Sequence, residues 1–118
     1  MPLVKSTREG LVGKATASGW IIDKKVPFVA LPCTDALYKF VRVSNPANGR
    51  TCYAIVLDVG PWNEHDRNYV FGVERPQAES GKDSFGRLTN GSGIDLGEAV
   101  YQALGMSGNT NVEWNFIE

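Results

Sequence analysis

Two β-rich runs on either side of a turn-forming pentapeptide set the frame for this chain. From Leu37 to Ser44 and again from Thr51 to Asp58 the residues are rich in Val, Ile, Tyr and Phe, with Asn45-Pro46-Ala47-Asn48-Gly49 between them. Proline presets one turn dihedral while Asn and Gly tolerate positive φ, so the two runs predict an antiparallel hairpin. Further strands are expected on both sides of it. Leu11 to Ser18 mixes small and β-branched residues, and Val26 to Leu31 is a short apolar run in which Pro27, lacking an N–H for a ladder, belongs at a strand start or edge. Near the end of the chain Val112, Trp114 and Phe116 alternate with Glu113 and Asn115, the pattern of a half-buried closing strand.

One helix is predicted among these strands. Leu96, Ala99, Val100, Ala103 and Leu104 recur at the spacing of a single apolar stripe, with Asp95 as N-cap, Glu98 completing a capping-box pair and Gly105 as the stop. Several short strands and one helix describe a small, mostly β barrel rather than a βαβ repeat. The polar, glycine-dotted stretch from Trp62 to Gly93 is too long for an ordinary connection and reads as an insertion, either functional or poorly ordered.

A length of 118 residues, 42% of them hydrophobic and 21% charged, suits a single domain spanning residues 1–118 with one core. Twelve basic against thirteen acidic side chains give a formal charge of −1, which provides no field to hold nucleic acid. No apolar stretch approaches the roughly 20 residues of a spanning helix, and the opening residues lack an apolar leader region. The compartment is therefore periplasmic or extracellular if a leader has been removed, and otherwise cytoplasmic; a monomer is expected. Cys33 and Cys52 fit neither a metal-site spacing nor a disulfide-dense scaffold, and both read as buried small hydrophobes. A bridge between them would require Cα atoms within about 7 Å, which sequence does not show.

Three motifs, in order, carry a resemblance. Val41-Arg42-Val43-Ser44-Asn45-Pro46-Ala47-Asn48-Gly49-Arg50, then Val56-Leu57-Asp58-Val59-Gly60-Pro61, then Ile94-Asp95-Leu96-Gly97-Glu98-Ala99 with Leu104-Gly105-Met106 are similar to the barrel of rare lipoprotein A and its expansin and family-45 endoglucanase relatives. A weaker echo is Gly13-Lys14-Ala15-Thr16-Ala17-Ser18-Gly19-Trp20. The resemblance implies a six-stranded double-psi β-barrel with one short helix and a long inserted loop at about 62–93, and a groove that holds glycan strands such as peptidoglycan. It implies no cofactor. Relatives of this kind include lytic transglycosylases, endoglucanases and expansins that loosen wall polymers without hydrolysis, so the fold does not choose among them.

Cleaving a glycosidic bond needs a group that protonates the leaving oxygen, often with a second carboxylate across the bond. By resemblance Asp58 holds the position of the catalytic acid/base and Asp95 that of a groove acid. From the residues alone, Asp58 equally suits a turn carboxylate that accepts backbone N–H bonds, and Asp95 suits the helix cap. Two polar members of the lytic site are replaced, because Trp20 follows Ser18-Gly19 where the lytic enzymes carry glutamate, and Leu31-Pro32 stands near their histidine position. Exposed aromatic rings are platforms for the C–H faces of sugars, which makes Trp62 the first candidate and Trp20 the second. Tyr53 is a further candidate contact, although its alternating strand, like those of Trp114 and Phe116, also reads as core. Glu64 and His65 follow Trp62-Asn63 closely enough to line the same groove end. With Asp66 they invite a metal reading, yet adjacent residues seldom point at one ion, so a solvated charge cluster is the simpler account and no metal is expected. The sequence thus supports a cell-wall polysaccharide enzyme using Asp58, or alternatively a non-catalytic glycan-binding, expansin-like module or a protein-docking domain.

Overall fold

The computed structural model describes residues 3–108 and 110–117. Six strands, β1 (Leu3–Glu9), β2 (Phe28–Leu31), β3 (Phe40–Asn45), β4 (Arg50–Val59), β5 (Ile94–Gly97) and β6 (Asn111–Phe116), close into a barrel in the order β1-β5-β2-β4-β3-β6. β1 runs parallel to β5 and β2 parallel to β4, while the other neighbours are antiparallel. Val29, Val41, Val43, Val56, Ile94, Leu96 and Val112 point inward and are wholly buried around Trp114. Their alternation with exposed Phe40, Arg42 and Tyr53 is the two-residue period of strands with one covered face.

The predicted hairpin forms as β3 and β4, in register from Phe40 opposite Ile55 to Asn45 opposite Arg50. Its Asn pair has a second task. Asn45 Nδ2 and Asn48 Nδ2 each donate to the Leu104 carbonyl at 2.9 Å, tying the hairpin tip to the end of helix α2 (Glu98–Ala103). That helix ends as expected at Gly105 (φ 60°), with Gly105 N–H bonded to Gln102 O and Met106 N–H to Tyr101 O, the paired closure of a Schellman motif.

Its start differs from the sequence reading. Asp95 is not the N-cap: β5 continues through Gly97, which caps α2 with φ −63° and ψ 163°. Strand pairing on both sides of Asp95, with Thr7 and with Ala30, outweighs the local capping signal. Glu98 closes no capping box and instead takes Arg8 Nε at 2.7 Å and Arg8 Nη2 at 2.6 Å. Glycine is required at 97, where a Cβ would lie 2.3 Å from the Phe28 ring.

Other expectations need correction. Leu11–Ser18 is not a strand; Gly13 (φ 89°) and Gly19 (φ 86°) turn the chain left-handed, and residues 10–27 form an irregular flap with one isolated bridge, Ala15 to Ile21. The first strand lies earlier, at β1. Among the described residues there are two short α-helices rather than one, because the insertion contains α1 (Arg67–Val70), followed by a 3-10 turn at Gln77–Ser80. Tyr69 of α1 anchors this insertion in the core, accepting from Trp114 Nε1 at 2.7 Å and donating to Gly93 O at 2.9 Å. Tyr53 is 63% exposed, so the core reading fails for it, and Phe116 is half-buried. Cys33 is buried but Cys52, opposite Val43 near the hairpin turn, is only half-buried; both are free thiols. Among the described residues no helix is long and apolar enough to cross a membrane.

Candidate functional site

A one-residue irregularity builds the site. β2 pairs Val29 with Val56 and then Ala30 with Asp58, skipping Leu57. A bulge of this kind re-aims the side chains that follow it. Here it puts Asp58 in line with Ala30, while Ala30 pairs on its other side with Asp95 and Asp95 with Thr7. Laterally paired residues share a face, so Thr7, Asp95, Ala30 and Asp58 form one row across β1, β5, β2 and β4. Val29 and Leu96, one residue away in their strands, fill the core, and the row therefore lies on the opposite, outer face. With only a methyl group at Ala30 between them, the two aspartates sit two strand spacings apart, about 10 Å at the backbone.

Glu9, two residues beyond Thr7 on the same face, joins them. Burial first, and then the neighbouring Asp58 carboxyl group and the charge of Asp95, push the Glu9 pKa up to about 9. Burial and the Asp58 charge push Asp95 up to about 7. Glu9 Oε2 and Thr7 Oγ1 are buried without a hydrogen-bond partner. Asp58 is better satisfied: its Oδ1 accepts the N–H groups of Ala17 and Val59, each at 2.8 Å, so it also clasps the flap. Asp58 thus accepts backbone N–H groups as a turn carboxylate does, and stands in the same row as Asp95.

The two tryptophans flank this row differently. Trp20, in the flap, packs edge-on against Phe28 at 4.9 Å, and Phe28 in turn covers Gly97. Trp62 follows Gly60, whose α-carbon faces Asp95 so closely that a Cβ there would lie 3.7 Å from Asp95 Oδ2. Trp62 has φ 70°, a conformation that bulky residues seldom adopt, and its ring is pinned by a 3.0 Å bond from Nε1 to Asn90 Oδ1. Both rings are half-buried. Tyr53 lies five residues before Asp58 on β4, about 16 Å along the strand.

Glu64 and His65 turn away from the row. His65 bridges to Cys33, the Glu64 carbonyl accepts from Thr34 N–H, and both residues line a cavity with Asn63, Gln77, Ser84 and Phe85. No group of three or more potential metal ligands occurs among the described residues. The sequence pattern points to a first strand at Leu11–Ser18 and passes over Thr7 and Glu9, which belong to β1. The available signal was the alternation of Val4 and Ser6 with Thr7 and Glu9.

A closed six-stranded barrel with this topology and two parallel pairs is a double-psi type β-barrel. The chain belongs to the family described as "Domain of unknown function (DUF8814)", which it matches over residues 3–115. It is similar in structure to the Streptomyces papain inhibitor, at 20% identity and TM-score 0.58, covering 99% of this chain and 94% of that one. A mutant Clavibacter michiganensis expansin in complex with cellohexaose matches at 16% identity and TM-score 0.58 over 98% of this chain, which spans 50% of the expansin. Cerato-platanin 3 from M. perniciosa matches at 10% identity and TM-score 0.58, covering 99% and 95% of the two chains. No curated protein matches the sequence.

Proposed function

We propose that this chain is a glycan-binding, expansin-like module that holds a β-linked wall polysaccharide along its outer acid row without cutting it. The observation that carries the reading is the row itself: Glu9, Asp58 and Asp95 gathered on one face, with Trp62 following two residues after Gly60, which faces Asp95. Carboxyl groups in mixed protonation states offer both donors and acceptors to sugar hydroxyls, and the indole offers a surface for ring C–H groups. The expansin of similar fold is in complex with cellohexaose, and the ordered motifs shared with rare lipoprotein A favour a peptidoglycan-like alternative polymer. Trp20 and Tyr53 extend the aromatic contact at either side.

Binding is favoured over cleavage because the row is tied and crowded: Asp58 Oδ1 accepts two backbone N–H groups, and Glu9, pushed up to about 9, keeps its proton at neutrality. One feature favours a second, enzymatic reading. With its pKa near 7, Asp95 is suited to donate a proton to a leaving oxygen, and a lytic transglycosylase uses the sugar's own hydroxyl as nucleophile. The assay for both is co-sedimentation with cellulose and with murein sacculi, the supernatants analysed for released sugars by mass spectrometry. The expected result is pelleting without soluble products, weakened about tenfold or more in Trp62→Ala. Product release abolished by Asp95→Asn would establish the enzyme instead, and a wild-type protein that pellets with neither polymer would end the glycan reading.

A further inference from the structure

The middle of the acid row is covered in this structure. We infer that residues 10–27 form a lid that lifts as a unit to admit the polymer to the row, an inference that rests on the glycan reading above. Phe28 and Ala30 point outward from β2, on the side where Asp58 and Asp95 flank Ala30. Both are nonetheless wholly buried, and neither belongs to the barrel core. The flap reaches this face at two points: Trp20 packs edge-on against Phe28 at 4.9 Å, and Ala17 N–H donates to Asp58 Oδ1 at 2.8 Å.

The flap holds itself together better than it is held to the barrel. Internally, Gly13 N–H donates to Ile22 O at 3.0 Å, Ile22 N–H to Lys14 O at 2.9 Å, Thr16 N–H to Trp20 O at 2.8 Å and Gly19 N–H to Thr16 O at 2.9 Å. Among the described residues no backbone-to-backbone bond joins residues 11–26 to a strand of the barrel. Besides the Ala17 latch, Tyr38 Oη reaches Ser18 O only at 3.5 Å. Leu11, Val12 and Ile21 are more than half exposed, whereas Ile22 is buried at 4%. A segment with so few buried apolar contacts belongs to the low end of local stability. Its two ends suit hinges: Gly10 has no atom near where a Cβ would stand, and the other end is a turn closed by Lys25 N–H on Asp23 Oδ1 at 2.8 Å.

Closure and binding compete for the same ground. Asp58 Oδ1 is taken by Ala17 N–H as well as Val59 N–H, and Ala30, the floor between the two aspartates, is out of reach of solvent. Lifting the flap frees an acceptor, uncovers the floor and carries Trp20 off Phe28 to the side of the row, where its ring meets sugar C–H groups. Because the closed state excludes the polymer, apparent affinity is reduced by the fraction of molecules that are open, and bound polymer in turn holds the lid open.

The test is amide hydrogen exchange by NMR on the whole chain, together with sedimentation. Ala17 N–H, released by lifting, should exchange about 100-fold faster than Val56 N–H, which bonds Lys39 O. Saturating cellohexaose, or soluble murein glycan strands if sacculi are the polymer retained, should speed Ala17 exchange about tenfold or more and leave Val56 unchanged. Ile22→Ala removes the buried anchor of the flap, leaves every residue of the row in place, and should raise polymer retention about threefold, where a merely structural flap would lower it. Ala17 exchange as slow as that of Val56, a bound oligosaccharide that slows or does not change Ala17 exchange, or a folded Ile22→Ala retained no better than wild type overturns the lid and spares the glycan reading. If Ile22→Ala fails to fold, the Ala17 measurement decides alone. A wild-type protein that pellets with neither polymer removes the glycan reading and the lid with it.

Discussion

Asp83 and Asp95 are both acids set into the protein, and their surroundings treat them in opposite ways. Around Asp83, burial alone would raise the pKa, but the Arg87 N–H and guanidinium and the Phe85 N–H outweigh it and leave the group below its ordinary value. Around Asp95, burial and the Asp58 charge act together and the group is pushed up to about 7. The first carboxylate is enclosed by donors and organises a turn. The second is crowded by other acids and keeps its proton to a higher pH than an ordinary aspartate.

The sharpest way to break this contrast is Asp83→Ala. It strands two backbone N–H groups and a guanidinium at once, and should lower Tm by about 10 °C or more, read by thermal denaturation with circular dichroism. A drop of less than about 2 °C would show that the turn is held by other means.

Next in size is the response to pH. Glu9 is raised from 4.5 to about 9 and Asp95 from 3.8 to about 7, so between those values the unfolded chain has lost protons that the folded chain keeps. Stability then falls as pH rises through this window, by an amount that lowers Tm about 5 °C or more between pH 5 and pH 9. Glu9→Gln should flatten much of that slope. Asp83 has the opposite sign, its contribution being lost only as pH falls below the ordinary carboxylate range. A Tm that rises from pH 5 to pH 9 would contradict the crowding of the row.

The smallest of the three effects is a gain. Asp95→Asn removes the cost of a charge beside Asp58 and should stabilise the protein at pH 8 by about 1–3 kcal/mol in urea denaturation, while weakening polymer retention. A destabilised variant would mean that Asp95 is held by favourable partners after all.

The sequence allowed the hairpin, the end of α2 and the closing strand to be read because each is fixed by local chemistry. Asn45 and Asn48 tolerate the turn, Gly105 takes the left-handed stop, and Val112 and Trp114 alternate inward. The beginning of α2 was misread since Asp95 looks like a cap in isolation, whereas two strand partners decide its conformation. For the candidate site, Asp58 and Asp95 were marked by their motifs and Trp62 by its position. Glu9 was invisible because it reaches Asp58 only through closure of the barrel, and no local pattern encodes the bulge that aligns Asp58 with Ala30. Glu64 and His65 were grouped with the row by proximity in sequence, but the chain carries them on toward Cys33.

Closure of the sheet also limits how this molecule meets others. Among the described residues each of the six strands has a neighbour on either side, so the barrel ladder leaves no unpaired edge strand for an incoming strand to zip onto. Association by the barrel must then proceed through what its side chains and loops display, and self-stacking into fibres by edge addition is disfavoured from the outset.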